Sequence, residues 1–172
     1  MRCPHCHAPS TPVENRCASC GFKLSDISDT LAQLPARAET LFESAQVLSP
    51  KGRSLIQSRL NTFSRLSGHD TLVATISTSA PLQPSEYAFA LFERWRIGGA
   101  QRDGLLILFT QEEMHLECVL GAALSPLIAP AMIDALFERH ALPHMRRQDI
   151  DKGIYNALDL VLRVFEHAEG LR

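Results

Sequence analysis

Four cysteines within the first twenty residues carry the clearest chemistry in this sequence. They form two pairs, Cys3-Pro-His-Cys6 and Cys17-Ala-Ser-Cys20. The two-residue spacer lets both thiolates of a pair turn toward one ion, and two such pairs complete the sulfur tetrahedron that Zn²⁺ prefers. Because four thiolates leave no coordination position for water, the spacing predicts a structural zinc ribbon over residues 1–24. Two disulfides or a redox pair are the alternatives.

Two histidines, His5 and His7, lie inside and just after the first pair. We interpret them as solvent-facing residues, since the cysteines already complete the coordination. Gly21 follows the second pair at a position where positive φ is expected. A segment this short has almost no apolar core, so metal binding is expected to supply its folding free energy, on the order of 10 kcal/mol.

The predicted ribbon has few features of a nucleic-acid-binding module. Its cations are Arg2, Arg16 and Lys23, and Phe22, expected to pack under the metal, is its one aromatic residue. Single-strand binders need a stacking surface and a denser set of cations. The whole chain has a net charge of −2, which argues against a general polyanion binder. Nucleic acid is therefore not an expected partner.

The composition bounds the rest of the chain. The 172 residues, 45% hydrophobic and 21% charged, can form one sizeable core beside the ribbon. Because Met1-Arg2-Cys3 leads directly into the first pair and no later run approaches eighteen apolar residues, we expect no signal segment, no integral membrane segment and a cytoplasmic location. Reduced thiols in that compartment favour a metal site over disulfides. A fifth cysteine, Cys118, lies in an apolar run and is predicted to be a small core residue, with a nucleophile as the alternative.

Hydrophobic periodicity predicts the elements that follow the ribbon. Residues 25–40 are predicted to be a connector, partly helical, and residues 41–170 an α/β domain. Helices are predicted at about 50–66, from 84, at about 126–139 and at about 149–168. Strands are predicted at 70–77, 104–109 and 114–120, the last two antiparallel. The order places helices on both sides of a mostly parallel sheet with an antiparallel edge, which is a three-layer αβα sandwich.

Several motifs in this second part resemble the TPM domain family. They are Glu86-Tyr-Ala88, Leu91-Phe-Glu-Arg-Trp-Arg-Ile-Gly98, Asp103-Gly-Leu-Leu-Ile-Leu108 and Asp151-Lys-Gly-Ile154. The resemblance extends from about Leu41 to Glu166. This family includes a thylakoid lumen acid phosphatase, a photosystem II repair protein and a worm acetylcholine-receptor modulator. The resemblance implies an α/β sandwich with an acidic cleft near the strand ends, used by some members for phosphatase activity or calcium binding and by others for assembling membrane complexes.

The resemblance makes Asp103 and Glu117 the candidate residues of a divalent-cation or phosphate site. Carboxylates suit Ca²⁺ or Mg²⁺. Local alternatives are a turn residue for Asp103 and a solvated strand residue for Glu117. Members of the family usually have more acidic residues, with a stretch like EVGYGLEG after the hairpin. Here that stretch is Glu117-Cys-Val-Leu-Gly-Ala-Ala-Leu124, and the segment before the first helix keeps only Glu43.

Other candidate residues are expected to be structural. Trp95 is predicted to pack against the sheet, with a binding surface as the alternative. His140 and His144 have the spacing of a helical ligand pair, but Pro143 biases Leu142 away from helix, so no metal pair is expected. No nucleophile and base are recognisable, and the catalytic residues of an enzyme are therefore unknown.

Two function hypotheses of different class follow. In the first, the ribbon and the α/β domain form a protein-interaction or assembly module whose partners are other proteins. In the second, the chain is a metal-assisted phosphatase in which Asp103 and Glu117 help to bind a cation while arginines hold phosphate. The depleted acidic set favours the first. Nucleic-acid binding through the ribbon is a weaker third hypothesis.

Overall fold

The computed structural model of the protein describes residues 2–8, 16–37 and 40–171. Four strands form one sheet in the order β1-β2-β3-β4, with β1, β2 and β3 parallel and β4 antiparallel to β3. The strands are β1 (Leu41–Glu43), β2 (Thr71–Ile76), β3 (Leu105–Thr110) and β4 (His115–Leu120). The predicted mostly parallel sheet with an antiparallel edge is confirmed.

Helices cover both faces of this sheet. They are α1 (Ser28–Gln33), α2 (Pro50–Ser67), α3 (Pro84–Arg94), α4 (Pro130–Leu136), α5 (Leu142–Met145) and α6 (Ile150–Ala168). A π-helical turn at Phe137–Ala141 joins α4 to α5. Within the described ranges, no helix is both long enough and apolar enough to cross a membrane.

The start of α2 follows directly from its sequence. The Ser49 side chain accepts a hydrogen bond of 3.0 Å from the Gly52 N–H, and Pro50 fills the first helical position, where its missing N–H costs nothing. At the other end, Gly68 adopts a φ of 76° and its N–H bonds the Ser64 carbonyl. A left-handed residue of this kind ends a helix without the Cβ penalty.

The larger core lies between the sheet and the helices α2, α4 and α6. Ile56, Leu60 and Phe63 from α2 are fully buried there, and α6 contributes Leu158 and Phe165. The helices α2 and α6 are also joined by Arg59, which donates to Asp159 at 2.7 Å and to both Glu166 oxygens at 2.8 and 3.0 Å. This face supplies most of the apolar burial that stabilises the domain.

The second core lies on the opposite face, under α3 and the connector. Trp95 is buried in it, stacks edge-to-face with Phe42 at a centroid distance of 5.4 Å, and donates from Nε1 to the Pro35 carbonyl at 2.9 Å. The packing role predicted for Trp95 is therefore confirmed. The same bond ties the connector to the domain, together with Arg37, which donates to Asp70 at 2.6 Å.

The motif glycines lie at the start of β3, where two backbone segments touch. A Cβ at Gly98, whose φ is 80°, would lie 2.3 Å from the Gly104 nitrogen. The Gly98 N–H also donates to Asp70 at 2.9 Å. The positive φ and the close backbone approach require glycine at this position, which explains the motif without invoking chemistry.

Three features differ from the sequence prediction. Strand β1 was not predicted, because its three residues are too few for an alternating pattern. The helix expected at about 126–139 begins at Pro130, since tight turns occupy the chain just before it. The helical path then continues to Met145 despite Pro143, because the π-helical turn before α5 accommodates a residue that cannot donate a backbone hydrogen bond.

Candidate metal centre and adjoining cleft

The four N-terminal cysteines converge on one point. Their sulfur atoms all lie within 4.8 Å of one another, with Cys3 to Cys20 at 3.7 Å and Cys6 to Cys17 at 3.8 Å. A tetrahedron with metal–sulfur bonds of about 2.3 Å has sulfur–sulfur edges of about 3.8 Å. Disulfide bonds would require about 2.05 Å. The cysteine geometry therefore fits a tetrahedral metal site and not a pair of disulfides.

Two similar turns present the thiols. The Gly21 N–H donates to the Cys17 carbonyl at 2.8 Å, and the His7 N–H donates to the Cys3 carbonyl at 2.9 Å. Gly21 has a φ of 80° and His7 a φ of 57°. The positive φ expected at Gly21 is confirmed, and His7 occupies the equivalent position of the first turn.

Backbone donors and burial act in opposite directions on the thiols of the cluster. The backbone N–H of Cys20, assisted by that of Ser19, lowers the pKa of the Cys17 thiol to about 6. Burial acts in the opposite direction at Cys3 and raises its pKa. A bound divalent ion favours the thiolate of every ligand, so metal loading would release protons from the cluster.

The ribbon docks on the α/β domain through three polar contacts. His5 Nδ1 lies 2.6 Å from a Glu86 carboxylate oxygen, and the Ser85 hydroxyl donates to the Pro4 carbonyl at 2.6 Å. Both contacts are with the first turn of α3. The third is Arg2, which donates to Asp134 of α4 at 2.7 Å. His5 thus contacts the domain, and the metal-ligand cluster comprises cysteines alone.

Aromatic packing reinforces the docking. The Phe22 ring stacks on His5 with centroids 5.7 Å apart and planes 3° from parallel. Phe22 also packs against the core cluster under α3.

A cleft of about 220 Å³ remains between the ribbon and the edge of the sheet. Pro4 of the ribbon, Phe89 of α3 and Ile133 of α4 contribute to its walls, while β4 runs along its floor. Glu117 and Cys118 both line it. One predicted site residue, Glu117, therefore lines the same cleft as Cys3 of the cysteine cluster, which sequence spacing could not indicate.

The surroundings of Cys118 disfavour its thiolate. Burial raises its pKa far above the ordinary value, and the carboxylates of Glu117 and Asp134 raise it further. A thiol that stays protonated is a poor nucleophile. The predicted role of a small core residue agrees with its packing against the larger core cluster.

Asp103 precedes β3, whereas Glu117 lies in the middle of β4. Glu117 pairs with Leu108, five residues beyond Asp103, so the backbone positions of the two residues are about 16 Å apart along the strand direction. Asp103 instead lies 3.3 Å from His69 Nδ1, whose Nε2 contacts Glu169 at 2.7 Å. The two candidate carboxylates do not converge on one ion.

Two carboxylates near the carboxyl ends of the parallel strands received no candidate role from the sequence. Glu43, at the end of β1, accepts from the Leu48 N–H at 3.1 Å and pairs with Arg53. Asp151 accepts from the Ser49 N–H at 2.9 Å and from the Ser49 hydroxyl. Ligands of parallel α/β sheets usually bind at these strand ends. In the sequence, the position of Asp151 in the Asp-Lys-Gly motif could have indicated it as a candidate residue.

Both carboxylates are bound by donors of the chain itself. Arg53 supplies the positive charge beside Glu43. Among the described residues, the four cysteines are the one group of three or more metal-ligating side chains close enough to share an ion. His140 and His144, although now within helical segments, are not part of such a group.

The chain therefore consists of an α/β domain with helices on both faces of its sheet and a ribbon with four clustered cysteines that docks beside one edge of that sheet. The family model of the TPM domain matches residues 41–164, so the chain belongs to the TPM domain family. No curated protein matches the sequence.

Two solved structures share the fold. The N-terminal domain of a protein from P. gingivalis, solved by solution NMR, superposes with a TM-score of 0.71 at 16% identity, covering 82% of this chain and 89% of that one. The BA42 protein from the psychrophilic bacterium Bizionia argentinensis superposes with a TM-score of 0.59 at 8% identity, covering 70% of this chain and 83% of that one. At these identities the likeness concerns the fold alone.

Proposed function

We propose that this TPM domain protein is a protein-interaction or assembly module, and that its four cysteines hold one structural zinc ion. The observation that carries the proposal is the docking of the ribbon. Arg2, Pro4 and His5 contact both α3 and α4, so the ribbon and the domain present one combined surface. A metal module fastened in this way adds binding surface and leaves no coordination position for a substrate.

Zinc is proposed for chemical reasons. Thiolates are soft ligands and suit Zn²⁺ or iron better than Ca²⁺ or Mg²⁺. Four cysteines in two short turns, without a free position, are typical of structural zinc. Iron bound by the same four sulfurs would colour the purified protein, whereas zinc would not, so an absorption spectrum separates the two.

The placement of the two candidate carboxylates gives no support to a cation site that Asp103 and Glu117 share. The backbone positions of these residues are about 16 Å apart along the strand direction, and each has a histidine neighbour of its own. Glu43 is neutralised by Arg53. A phosphatase that uses a divalent ion needs several oxygen ligands around one point.

The test is phosphate release from a generic aryl phosphate with Ca²⁺, Mg²⁺ or chelator. The native protein, Asp103→Ala and the exposed control Glu112→Ala are compared. We expect equal release from all three, at the level of a heat-inactivated sample. Turnover that requires a divalent ion, survives in Glu112→Ala and disappears in Asp103→Ala would contradict the proposal and establish the phosphatase hypothesis.

A further inference from the structure

Strand β4 forms one edge of the sheet, and its outer side has no strand partner among the described residues. The sheet order ends at β4, and the Gly121 N–H donates to the Gly104 carbonyl at 2.8 Å, which makes these two a hydrogen-bonded pair. In an antiparallel ladder, the backbone N–H and C=O groups of one residue bond the neighbouring strand, and those of the next residue point away from it. The backbone groups of Leu116, Cys118 and Leu120 therefore point away from β3. No hydrogen bond to these outward groups is formed by the residues that the structure describes.

The space beside this edge lies between two helix layers. Phe89 of α3 lines the cleft on one side of the sheet, and Ile133 of α4 lines it on the other. Pro4 of the ribbon closes the cleft from outside. The cleft therefore occupies the position that a fifth strand would take in the same sandwich.

The two faces of the cleft differ in chemistry. Cys118 pairs with Ile107, which belongs to the core under α2, α4 and α6, and the lining on this face is mostly apolar, with Ser125 and the Asp134–Arg2 ion pair as its polar groups. Glu117 pairs with Leu108, which belongs to the core under α3, and its carboxylate lies on that face. Asp134 is bound by Arg2, whereas the one contact of the Glu117 carboxylate within the described residues is with His115 at 3.2 Å.

We propose that this cleft binds an extended segment of a partner protein as a fifth strand beside β4, with apolar residues facing α4 and basic residues facing Glu117. The inference rests on the proposed interaction function and specifies its site. Backbone hydrogen bonds to Leu116, Cys118 and Leu120 provide affinity, and the alternating pattern provides selectivity. A volume of about 220 Å³ under the ribbon admits a few residues of extended chain and not the body of a second copy.

The probe is a fluorescent peptide of about seven alternating valine and lysine residues, titrated against the native full-length protein by anisotropy. Its matched control has glutamate in place of lysine. We expect the basic peptide to bind about tenfold more tightly than the acidic one, because Glu117 attracts one and repels the other. Glu117→Lys should remove this preference.

Two further comparisons test strand addition itself. Cys118→Pro removes an outward N–H that the β3 ladder does not use, so it should reduce binding about tenfold, while Cys118→Val keeps the N–H and should bind normally. Circular dichroism and metal content check that both variants remain folded. If the proline variant does not fold, alternate N-methylation of the peptide replaces it: methylation of the amides that face β4 should cost about tenfold, and methylation of the others should cost little.

Absence of saturable binding by the basic peptide would overturn the inference, as would equal affinity for both peptides or indifference to N-methylation. A dimer of the native protein that Cys118→Pro dissolves would assign the edge to a second copy and would also overturn it. These failures leave the proposed function standing if phosphate release is absent. Divalent-dependent turnover, by contrast, contradicts the proposed function itself.

Discussion

The ribbon and the α/β domain are stabilised in different ways. Among the described residues up to Lys23, only Cys3 and Cys17 are buried. In the α/β domain, every residue of β2 and β3 is buried, and apolar clusters cover both faces of the sheet. We therefore expect the ribbon to depend on metal coordination and the α/β domain on hydrophobic burial. The comparison predicts that the two regions respond to different perturbations.

The largest expected effect is on the ribbon alone. Cys17→Ser, or removal of the metal by a chelator, should unfold the ribbon, since structural zinc supplies on the order of 10 kcal/mol. Limited proteolysis followed by mass spectrometry should show cleavage in residues 1–24 and a resistant fragment from about residue 40 onward. Cys118→Ala is the control and should retain the metal. Cleavage that spreads into the α/β domain would show that the two regions do not fold independently.

The converse change affects the domain. Phe63 is fully buried against α6, and Phe63→Ala should cost about 3–5 kcal/mol of unfolding free energy, because it removes apolar contacts and leaves a cavity. Leu66→Ala, at a side chain that is 50% exposed, should cost less than about 0.5 kcal/mol. Urea denaturation followed by circular dichroism measures both. The metal content of the folded Phe63→Ala protein should equal that of the native one, and a loss of metal would contradict the comparison.

A smaller effect concerns the junction between the two regions. The double change Glu86→Gln and Asp134→Asn removes the charged partners of His5 and Arg2. Partly exposed ion pairs contribute about 1 kcal/mol or less, so the domain should lose little stability. We expect the ribbon to keep its metal but to move independently, visible as faster local motion in ¹⁵N relaxation. Glu138→Gln, at an exposed position on the same helical segment, should leave the relaxation unchanged.

A further effect is a dependence of domain stability on pH. Burial opposes the charge of Glu113, but hydrogen bonds from the Ser79 N–H and the Thr78 and Ser79 hydroxyls lower its pKa from 4.5 to about 2. A depressed folded-state pKa contributes stability above the unfolded value, and this contribution disappears as the pH falls from about 4.5 to 2. Glu113→Gln should flatten the profile in that window, whereas Glu112→Gln should not. Identical profiles for the two variants would show that this carboxylate has no such role.

Local patterns predicted much of the fold. Ser49-Pro50 marked the start of α2, the apolar run from Leu105 marked β3, and the two cysteine spacings marked the metal cluster. Each signal depends on residues close together in sequence, so one stretch of chain contains all the information.

The remaining features depend on contacts between distant residues. Strand β1 is recognisable as a strand only through its pairing with β2, and the path through Pro143 depends on a π-helical turn that has no sequence signature. The cleft beside Glu117 forms because the ribbon docks on residues that are more than eighty positions away in the sequence, as the contact between His5 and Glu86 shows. No local sequence pattern indicates a contact between such distant residues. The sequence could therefore suggest Glu117 as a candidate but not the residues around it.

The most direct test of the account is the metal content and sulfur coordination of protein purified without chelator. Elemental analysis combined with metal-edge X-ray absorption should find one zinc per chain, bound by four sulfur atoms at about 2.3 Å. Less than about half an equivalent of metal, or a shell that contains oxygen or nitrogen, would contradict the structural zinc ribbon on which the proposed interaction module depends.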